Sequence, residues 1–308
     1  MKKIKIIFIN IILIVIILYG AKWVTLYYFL REDCKEYSIS CVERVNYEMI
    51  HNDSFRDVYK RNYYRSVENK DSDKPPIVLL GCSYTQGFGS LPDLKEDEIF
   101  SALLGRILKE KRPIYNRGMV SQGLQGAIWQ FKEGDLFDVV NHEPEYIIYT
   151  LINDQIRRLY MECCLWNRSA FYRKKGNGIE LIENTLFYSY PMRLYRYLTY
   201  ERIHKISKEE KFEFLKRHFI YLKNLSDTKW KKAKWIILYY NDDGQDFDIE
   251  RLENNGFKVI RLSDIVPENF FEDEKYRSTK TNRHPSKYAW EIITPALYSK
   301  LHEIYGLN

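Results

Sequence analysis

Residues 76–89 read Pro-Ile-Val-Leu-Leu-Gly-Cys-Ser-Tyr-Thr-Gln-Gly-Phe-Gly, a short apolar run that stops at a small, polar turn rich in glycine. The uninterrupted run Ile77–Leu80 follows two prolines and predicts a strand that is buried on both faces, as in a parallel sheet. In open α/β sheets, ligands bind beyond the carboxyl ends of the strands, so we expect chemistry in the turn after this strand. Ser83 lies in that turn and is the first candidate nucleophile.

Strands and helices are predicted to alternate along the rest of this part of the chain. Four more apolar runs predict strands at residues 113–118, 144–154, 234–240 and 256–262. Apolar residues at helical spacing lie between or after them, at residues 97–109, 123–131 and 249–254 and after residue 285. This alternation predicts an α/β fold, a three-layer doubly wound sandwich with about five parallel strands. Right-handed crossovers then bring the loops after the first three strands to a common rim.

Four segments of this pattern carry a resemblance to a known family. Gly81-Cys-Ser-Tyr-Thr-Gln-Gly87 resembles the first sequence block of the SGNH (GDSL-type) hydrolases, with Cys82 where the family most often has aspartate. The segments around Gly118, Asn153 and His284 are similar to the second, third and fifth blocks, and they occur in the family's order. The resemblance covers residues 76–298 and implies ester hydrolysis or acyl transfer, without a cofactor or a metal.

The resemblance also implies roles for these residues. A serine hydroxyl needs a neighbouring base near pH 7, and His284 is suited to accept the proton of Ser83. Negative charge develops on the oxygen of an attacked ester carbonyl, and the backbone N–H groups of Ser83 and Gly118 with the Asn153 amide are implied to stabilise it. Taken singly, each motif also has a structural explanation: the serine as a helix N-cap, and the glycine and the Asn153-Asp154 pair as turns.

One departure from the family pattern concerns the residue that orients the histidine. The family usually places an aspartate two or three residues before it, and these positions hold Asn282 and Thr281. Three interpretations stay open: a Ser–His dyad with Asn282 or a main-chain carbonyl holding the ring, an acid from elsewhere such as Asp273, or a decayed site. The last would leave a module that binds glycans or assists their assembly.

The amino terminus predicts a membrane anchor. Three lysines within residues 2–5 precede the apolar segment Ile6–Val24, which is long enough to cross a bilayer. The lysines predict a cytoplasmic amino terminus, so the protein is expected to be a single-pass inner (cytoplasmic) membrane protein whose main body is periplasmic or extracellular. A cleaved signal peptide and a buried core helix are the alternatives; no A-x-A-like cleavage site follows the apolar run.

The predicted organisation has three parts. Residues 1–30 form the cytoplasmic tip and transmembrane anchor, residues 31–75 a membrane-proximal spacer, and residues 76–308 the hydrolase-like domain. Within this domain, the segment at about residues 155–233 is much longer than one crossover helix requires, so we interpret it as a helical insertion. Its tyrosines and arginines predict either a groove for sugars or ordinary packing.

Composition narrows the remaining choices. The net charge of +6 is spread along 308 residues and interleaved with acids, so it does not predict a nucleic-acid partner. Among the five cysteines, Cys34 and Cys41 are spaced for a disulfide in an oxidising compartment, and no spacing matches a zinc site. Cys82 as a reactive thiol is a third hypothesis, although its side chain is expected to point away from that of Ser83. The histidines other than His284 are predicted to lie on the surface.

These observations together predict a membrane-anchored serine esterase or acyltransferase. Its expected substrate is an O-acyl, most often O-acetyl, ester of a cell-envelope glycan, and its expected partners are the membrane and a membrane acyltransferase or envelope assembly protein. The sequence leaves open the acyl group, the glycan, hydrolysis against transfer, and the oligomeric state.

Overall fold

The computed structural model describes Gly20 and residues 72–87, 94–95, 97–109, 112–118, 123–132, 135–159, 172–175, 178–181, 207–241, 247–277 and 284–306. Its centre is a five-stranded parallel sheet. The strands are β1 (Ile77–Leu80), β2 (Ile114–Asn116), β3 (Tyr146–Ile152), β6 (Lys234–Tyr240) and β7 (Phe257–Arg261), and they lie side by side in the order β2-β1-β3-β6-β7. The predicted fold class is therefore confirmed, and each predicted strand forms within its predicted range.

Helices cover both faces of this sheet. They are α1 (Ser83–Gln86), α2 (Phe100–Ile107), α3 (Leu124–Lys132), α4 (Leu136–Val139), α5 (Asn153–Leu159), α6 (Lys208–Asp227) and α7 (Lys287–Tyr305), with 3-10 turns at Ile249–Asn255, Leu262–Asp264 and Glu274–Tyr276. Alternate strand residues point to opposite faces, and the two sets build two cores. One core packs against α3 to α6, and the other against α2 and α7, where Phe100 stacks on Trp290.

The insertion differs in part from the prediction. The predicted long helix is present as α6, and Ser207 begins it with a capping box formed with Glu210. However, the segment before it contains an antiparallel pair, β4 (Tyr172–Lys175) and β5 (Gly178–Leu181), so the interpretation as purely helical is wrong.

Two smaller expectations are also corrected. Asn153 was expected in a loop, but β3 passes directly into α5 at this residue. His218 was expected on the surface, but it is 0% exposed on the inner face of α6, where its Nδ1 lies 2.9 Å from the Phe214 carbonyl oxygen. By contrast, His142 and His302 are exposed, as predicted.

Several predictions concern residues outside this description. They are the anchor at residues 1–30, of which only Gly20 is described, the spacer up to residue 71, and the cysteines at positions 34, 41, 163 and 164. Within the described ranges, no helix combines the length and the apolar character needed to cross a membrane.

Candidate active site

Ser83 is placed by a tight connection between β1 and α1. Gly81 takes a φ of 148°, and a Cβ there would lie only 2.3 Å from Thr85 Oγ1, so this position requires glycine. Gly87 ends α1 with a φ of 77°. Between these two glycines the chain makes a single helical turn, and Ser83, its first residue, is half-buried at the carboxyl edge of the sheet.

His284 comes to the same edge from the other end of the domain. The distance between its Nε2 and Ser83 Oγ is 2.7 Å, although 201 positions separate the two residues in the chain. Pro285 forms a β-bridge with Arg277, and the Ser286 N–H donates to the Tyr276 carbonyl. These contacts fix the loop in front of α7, so the hydrogen bond between Ser83 and His284 joins two anchored segments.

Aromatic rings support the histidine from the side. The His284 ring lies 4.6 Å from the Tyr84 ring, centroid to centroid, and Tyr84 packs edge to face on Tyr240 at 5.2 Å. Both tyrosines are almost completely buried. Their packing keeps the imidazole beside Ser83 and also places the end of β6 next to the site.

Gly118 lies against the turn that carries Ser83. A Cβ at this position would lie 2.7 Å from Gln86 N and from Thr85 Cβ, so only glycine permits this approach. Its N–H donates to Asn116 Oδ1 at 3.1 Å. Gly118 is therefore beside the nucleophile, as the resemblance implies, but its N–H already has an acceptor within its own turn.

Asn116, which the sequence analysis did not assign, holds this turn together. It is 0% exposed, and its Nδ2 donates to the Thr85 carbonyl at 2.8 Å and to Ser101 Oγ at 3.2 Å. One amide thus joins α1, α2 and the Gly118 turn. The only sequence signal for this role is a polar residue at the end of a predicted strand.

Asn153 is buried at the junction of β3 and α5, where its side chain contacts one residue of β6, Tyr239, and the residue that follows β6, Asn241. The Tyr239 hydroxyl donates to Asn153 Oδ1 at 2.5 Å, and Asn153 Nδ2 donates to Asn241 Oδ1 at 2.9 Å. In this arrangement the Tyr239 hydroxyl is the donor and Asn153 Oδ1 the acceptor, which leaves the Asn153 nitrogen to donate to Asn241. Tyr239 and Asn241 are the second and third residues that the sequence analysis missed.

The main chain of Ser83 supplies a further donor. The first N–H groups of a helix lack intrahelical acceptors. In the part of the chain that the structure describes, the Ser83 N–H has no hydrogen-bond acceptor. It is available to an oxyanion formed next to Ser83 Oγ.

One of the alternatives for the group that orients His284 can be placed. The Asp273 carboxylate accepts from the Lys275 N–H and pairs with Lys275 Nζ at 2.9 Å, and this pairing lowers its pKa. It caps the 3-10 turn Glu274–Tyr276, which is a structural role. Thr281 and Asn282 lie outside the described residues, so the group that orients His284 stays a prediction.

Cys82 is 1% exposed, packs into the core on the α2 and α7 face, and is not part of a disulfide. Its side chain therefore points into the core, whereas Ser83 reaches the surface. No cluster of three metal-ligating side chains occurs among the described residues.

Comparison with known proteins adds similarities of fold. No protein-family model matches the chain, and no curated protein matches it in sequence. Among solved structures, it is similar to a lipolytic protein of the G-D-S-L family from Desulfitobacterium hafniense, with 14% identity and a TM-score of 0.41 over 73% of this chain and 99% of the other. An acetyl xylan esterase from the rumen bacterium Butyrivibrio proteoclasticus shows 11% identity and a TM-score of 0.46, over 78% of this chain and 67% of the other.

A third similar structure is a two-domain esterase active on acetylated mannans, with 12% identity and a TM-score of 0.44. The match covers 75% of this chain but only 50% of that esterase. At identities below 15%, all three similarities concern the fold. The assignment of Ser83 and His284 rests on the contacts described above.

Proposed function

We propose that this protein is a serine esterase or acyltransferase of SGNH type. The observation that carries the proposal is the 2.7 Å contact between Ser83 Oγ and His284 Nε2 at the carboxyl edge of a parallel sheet. A serine hydroxyl becomes a useful nucleophile when a positioned base lies within about 3 Å of it.

In the proposed reaction, His284 Nε2 takes the proton from Ser83 Oγ as this oxygen attacks the ester carbonyl carbon. The C=O bond becomes a C–O⁻ single bond in the tetrahedral intermediate. Its collapse breaks the ester C–O bond, and the protonated His284 gives its proton to the leaving alcohol. Water or a sugar hydroxyl then attacks the acyl-serine, with His284 again as the base, and frees Ser83.

The developing oxyanion needs donors that are already in place. We propose the Ser83 N–H and the Asn153 amide as these donors, because the Ser83 N–H begins α1 and Tyr239 orients the Asn153 side chain at the carboxyl end of β3. Removal of one such donor typically costs about 10²–10³ in kcat. The Gly118 N–H would have to divide its hydrogen bond between Asn116 Oδ1 and the oxyanion, so its contribution is expected to be the smallest of the three.

The proposed substrate is an O-acyl ester of a cell-envelope glycan. This part of the proposal rests on the sequence of the amino terminus, which predicts that the domain is anchored outside the cytoplasm, where such esters occur. The neutral side chains Ser83, Tyr84 and Asn153 suit an uncharged ester better than an anionic one.

The test uses the full chain in detergent and p-nitrophenyl acetate as substrate. Wild type is expected to release p-nitrophenol and to be labelled by a fluorophosphonate, whereas Ser83→Ala should do neither. Equal inertness of the wild type and Ser83→Ala on short acyl esters and on acetylated sugars would contradict the proposal.

A second candidate is a glycan-binding or assembly module that keeps the fold with weakened catalysis. It is favoured by Thr281 and Asn282 at the positions where the family has its aspartate. Affinity for an acetylated glycan that survives replacement of both Ser83 and His284, in a protein without esterase activity, would support it.

A further inference from the structure

Asn241 has no role in the proposed mechanism, yet it contacts Asn153, one of the proposed oxyanion donors. It directly follows β6, whose last residue, Tyr240, is paired in register with Ile152, the residue before Asn153. Asn241 therefore stands beside Asn153 at the carboxyl edge of the sheet, and it is half-buried. Its chain neighbour Tyr240 packs on Tyr84, the residue after Ser83, so Tyr240 joins the end of β6 to the turn that carries Ser83.

The direction of the Asn241 amide follows from a short chain of hydrogen bonds. The Tyr239 hydroxyl donates to Asn153 Oδ1, and Asn153 Nδ2 donates to Asn241 Oδ1. The oxygen of Asn241 therefore faces Asn153, and its nitrogen lies on the opposite side of the carboxamide. Hydrogen bonds that run in one direction polarise one another, which strengthens the last donor of the chain.

That last donor has no acceptor in the protein as far as the structure describes it. A carboxamide nitrogen carries two N–H groups, and Asn241 Nδ2 donates to none of the described residues. The Gly118 N–H, by comparison, is already donated to Asn116 Oδ1. The site thus contains a half-exposed donor that is oriented by its neighbours and has no protein acceptor.

We propose that Asn241 is a further substrate-binding residue, whose Nδ2 donates a hydrogen bond to an oxygen of the bound ester. The acceptor is either the acyl carbonyl oxygen or an adjacent oxygen of the sugar. The inference rests on the proposed esterase function and adds a donor to it.

The experiment compares Asn241→Ala with wild type on p-nitrophenyl acetate and on a peracetylated monosaccharide, using the full chain in detergent. The expected loss in kcat/KM is about 10²-fold, the lower end for one oxyanion donor. A loss on both substrates identifies the acyl carbonyl as the acceptor, and a loss on the sugar ester alone identifies the sugar. Asn255→Ala is the matched control. Asn255 is also a half-buried asparagine, but it precedes β7 at the amino edge of the sheet, so this variant should retain full activity.

A double-mutant comparison separates direct donation from support of Asn153. If Asn241 binds substrate itself, Asn241→Ala still lowers kcat/KM in an Asn153→Ala background. If the effect disappears there, Asn241 acts only as the acceptor for Asn153, and the proposal is wrong. Asn241→Asp keeps an acceptor for Asn153 but lacks the donors, so it should be impaired as well.

Wild-type activity from Asn241→Ala on both substrates, or from Asn241→Asp, would also overturn the inference. A wild type that is inert on both esters would overturn the esterase proposal itself and this inference with it. If the wild type is active and the Asn241 variants have the same kcat/KM, only the inference about Asn241 is overturned.

Discussion

His218 shows how a single buried side chain makes stability depend on pH. Burial lowers its pKa to about 4 from an ordinary value of 6.5, and no charged group contributes to this shift. As the pH falls, the imidazole is therefore protonated at a higher pH in the unfolded chain than in the folded protein. The native state therefore has its full stability above pH 6.5 and loses it as the pH falls from 6.5 towards 4.

We expect this loss to amount to about 3 kcal/mol between pH 7 and pH 4, at about 1.4 kcal/mol per pKa unit. His218→Leu should remove this part of the pH dependence, as measured by urea unfolding at both pH values. His302→Gln, at an exposed histidine of α7, is the control and should change nothing. An unaltered slope in His218→Leu would contradict the prediction.

Tyr239 is expected to act on catalysis through Asn153. Tyr239→Phe removes only the hydroxyl that holds Asn153 Oδ1, and we expect kcat to fall about tenfold with little change in KM, the equivalent of one hydrogen bond. Tyr146→Phe is the matched control, because Tyr146 is equally buried but begins β3 at the opposite edge of the sheet. Equal activity of the two variants would show that Asn153 does not need Tyr239.

At the scale of elements, the serines that cap α6 and α7 differ in what else they hold. Ser207 and Ser286 both accept a hydrogen bond from the third N–H of their helix, and loss of such a cap costs about 1 kcal/mol. Ser286 is two residues after His284 in the chain, and its Oγ also donates to the Lys275 carbonyl oxygen at 2.6 Å. Ser286→Ala should therefore lower both the free energy of unfolding and kcat, whereas Ser207→Ala should lower only the former.

The approach of the Gly118 turn to α1 gives a second prediction at this scale. In Gly118→Ala the new methyl group would displace α1 and with it Ser83, and a shift of about 1 Å is enough to cost about 10²-fold in kcat. Gly123→Ala is the control, since a Cβ there would meet only Gln155 at 3.7 Å, an ordinary contact. Retained activity in Gly118→Ala would show that α1 adjusts without loss.

The elements that the sequence predicted best are those whose signal is local. Ile77–Leu80 and the run before Asn241 form strands because they are uninterrupted apolar segments, and their order along the chain determined the fold class. The pair β4–β5 was missed because each strand has only four residues and β4 is mostly charged, so the short alternation in β5 had no apolar partner segment beside it. The residues Asn116, Tyr239 and Asn241 were missed because their roles depend on partners from other strands and helices, which no local pattern reports.

At the scale of the whole molecule, the proposed membrane anchor makes a prediction about location. We expect the full chain to sediment with membranes, to resist extraction by salt, and to be released by detergent, because residues 6–24 are apolar enough to span the bilayer. Protease added to spheroplasts should degrade the domain. Recovery of the protein in the soluble fraction, or protection of the domain in spheroplasts, would contradict this orientation.

The separation of 201 positions from Ser83 to His284 has a consequence for biosynthesis. The nucleophile belongs to the first β-strand unit of the domain to be synthesised, and its base arrives with the last helix. A nascent chain, or one truncated before His284, carries an unactivated hydroxyl and is expected to be inert. Esterase chemistry would therefore begin only when the carboxyl-terminal segment has docked, and a single protease cut in front of α7 is expected to end it.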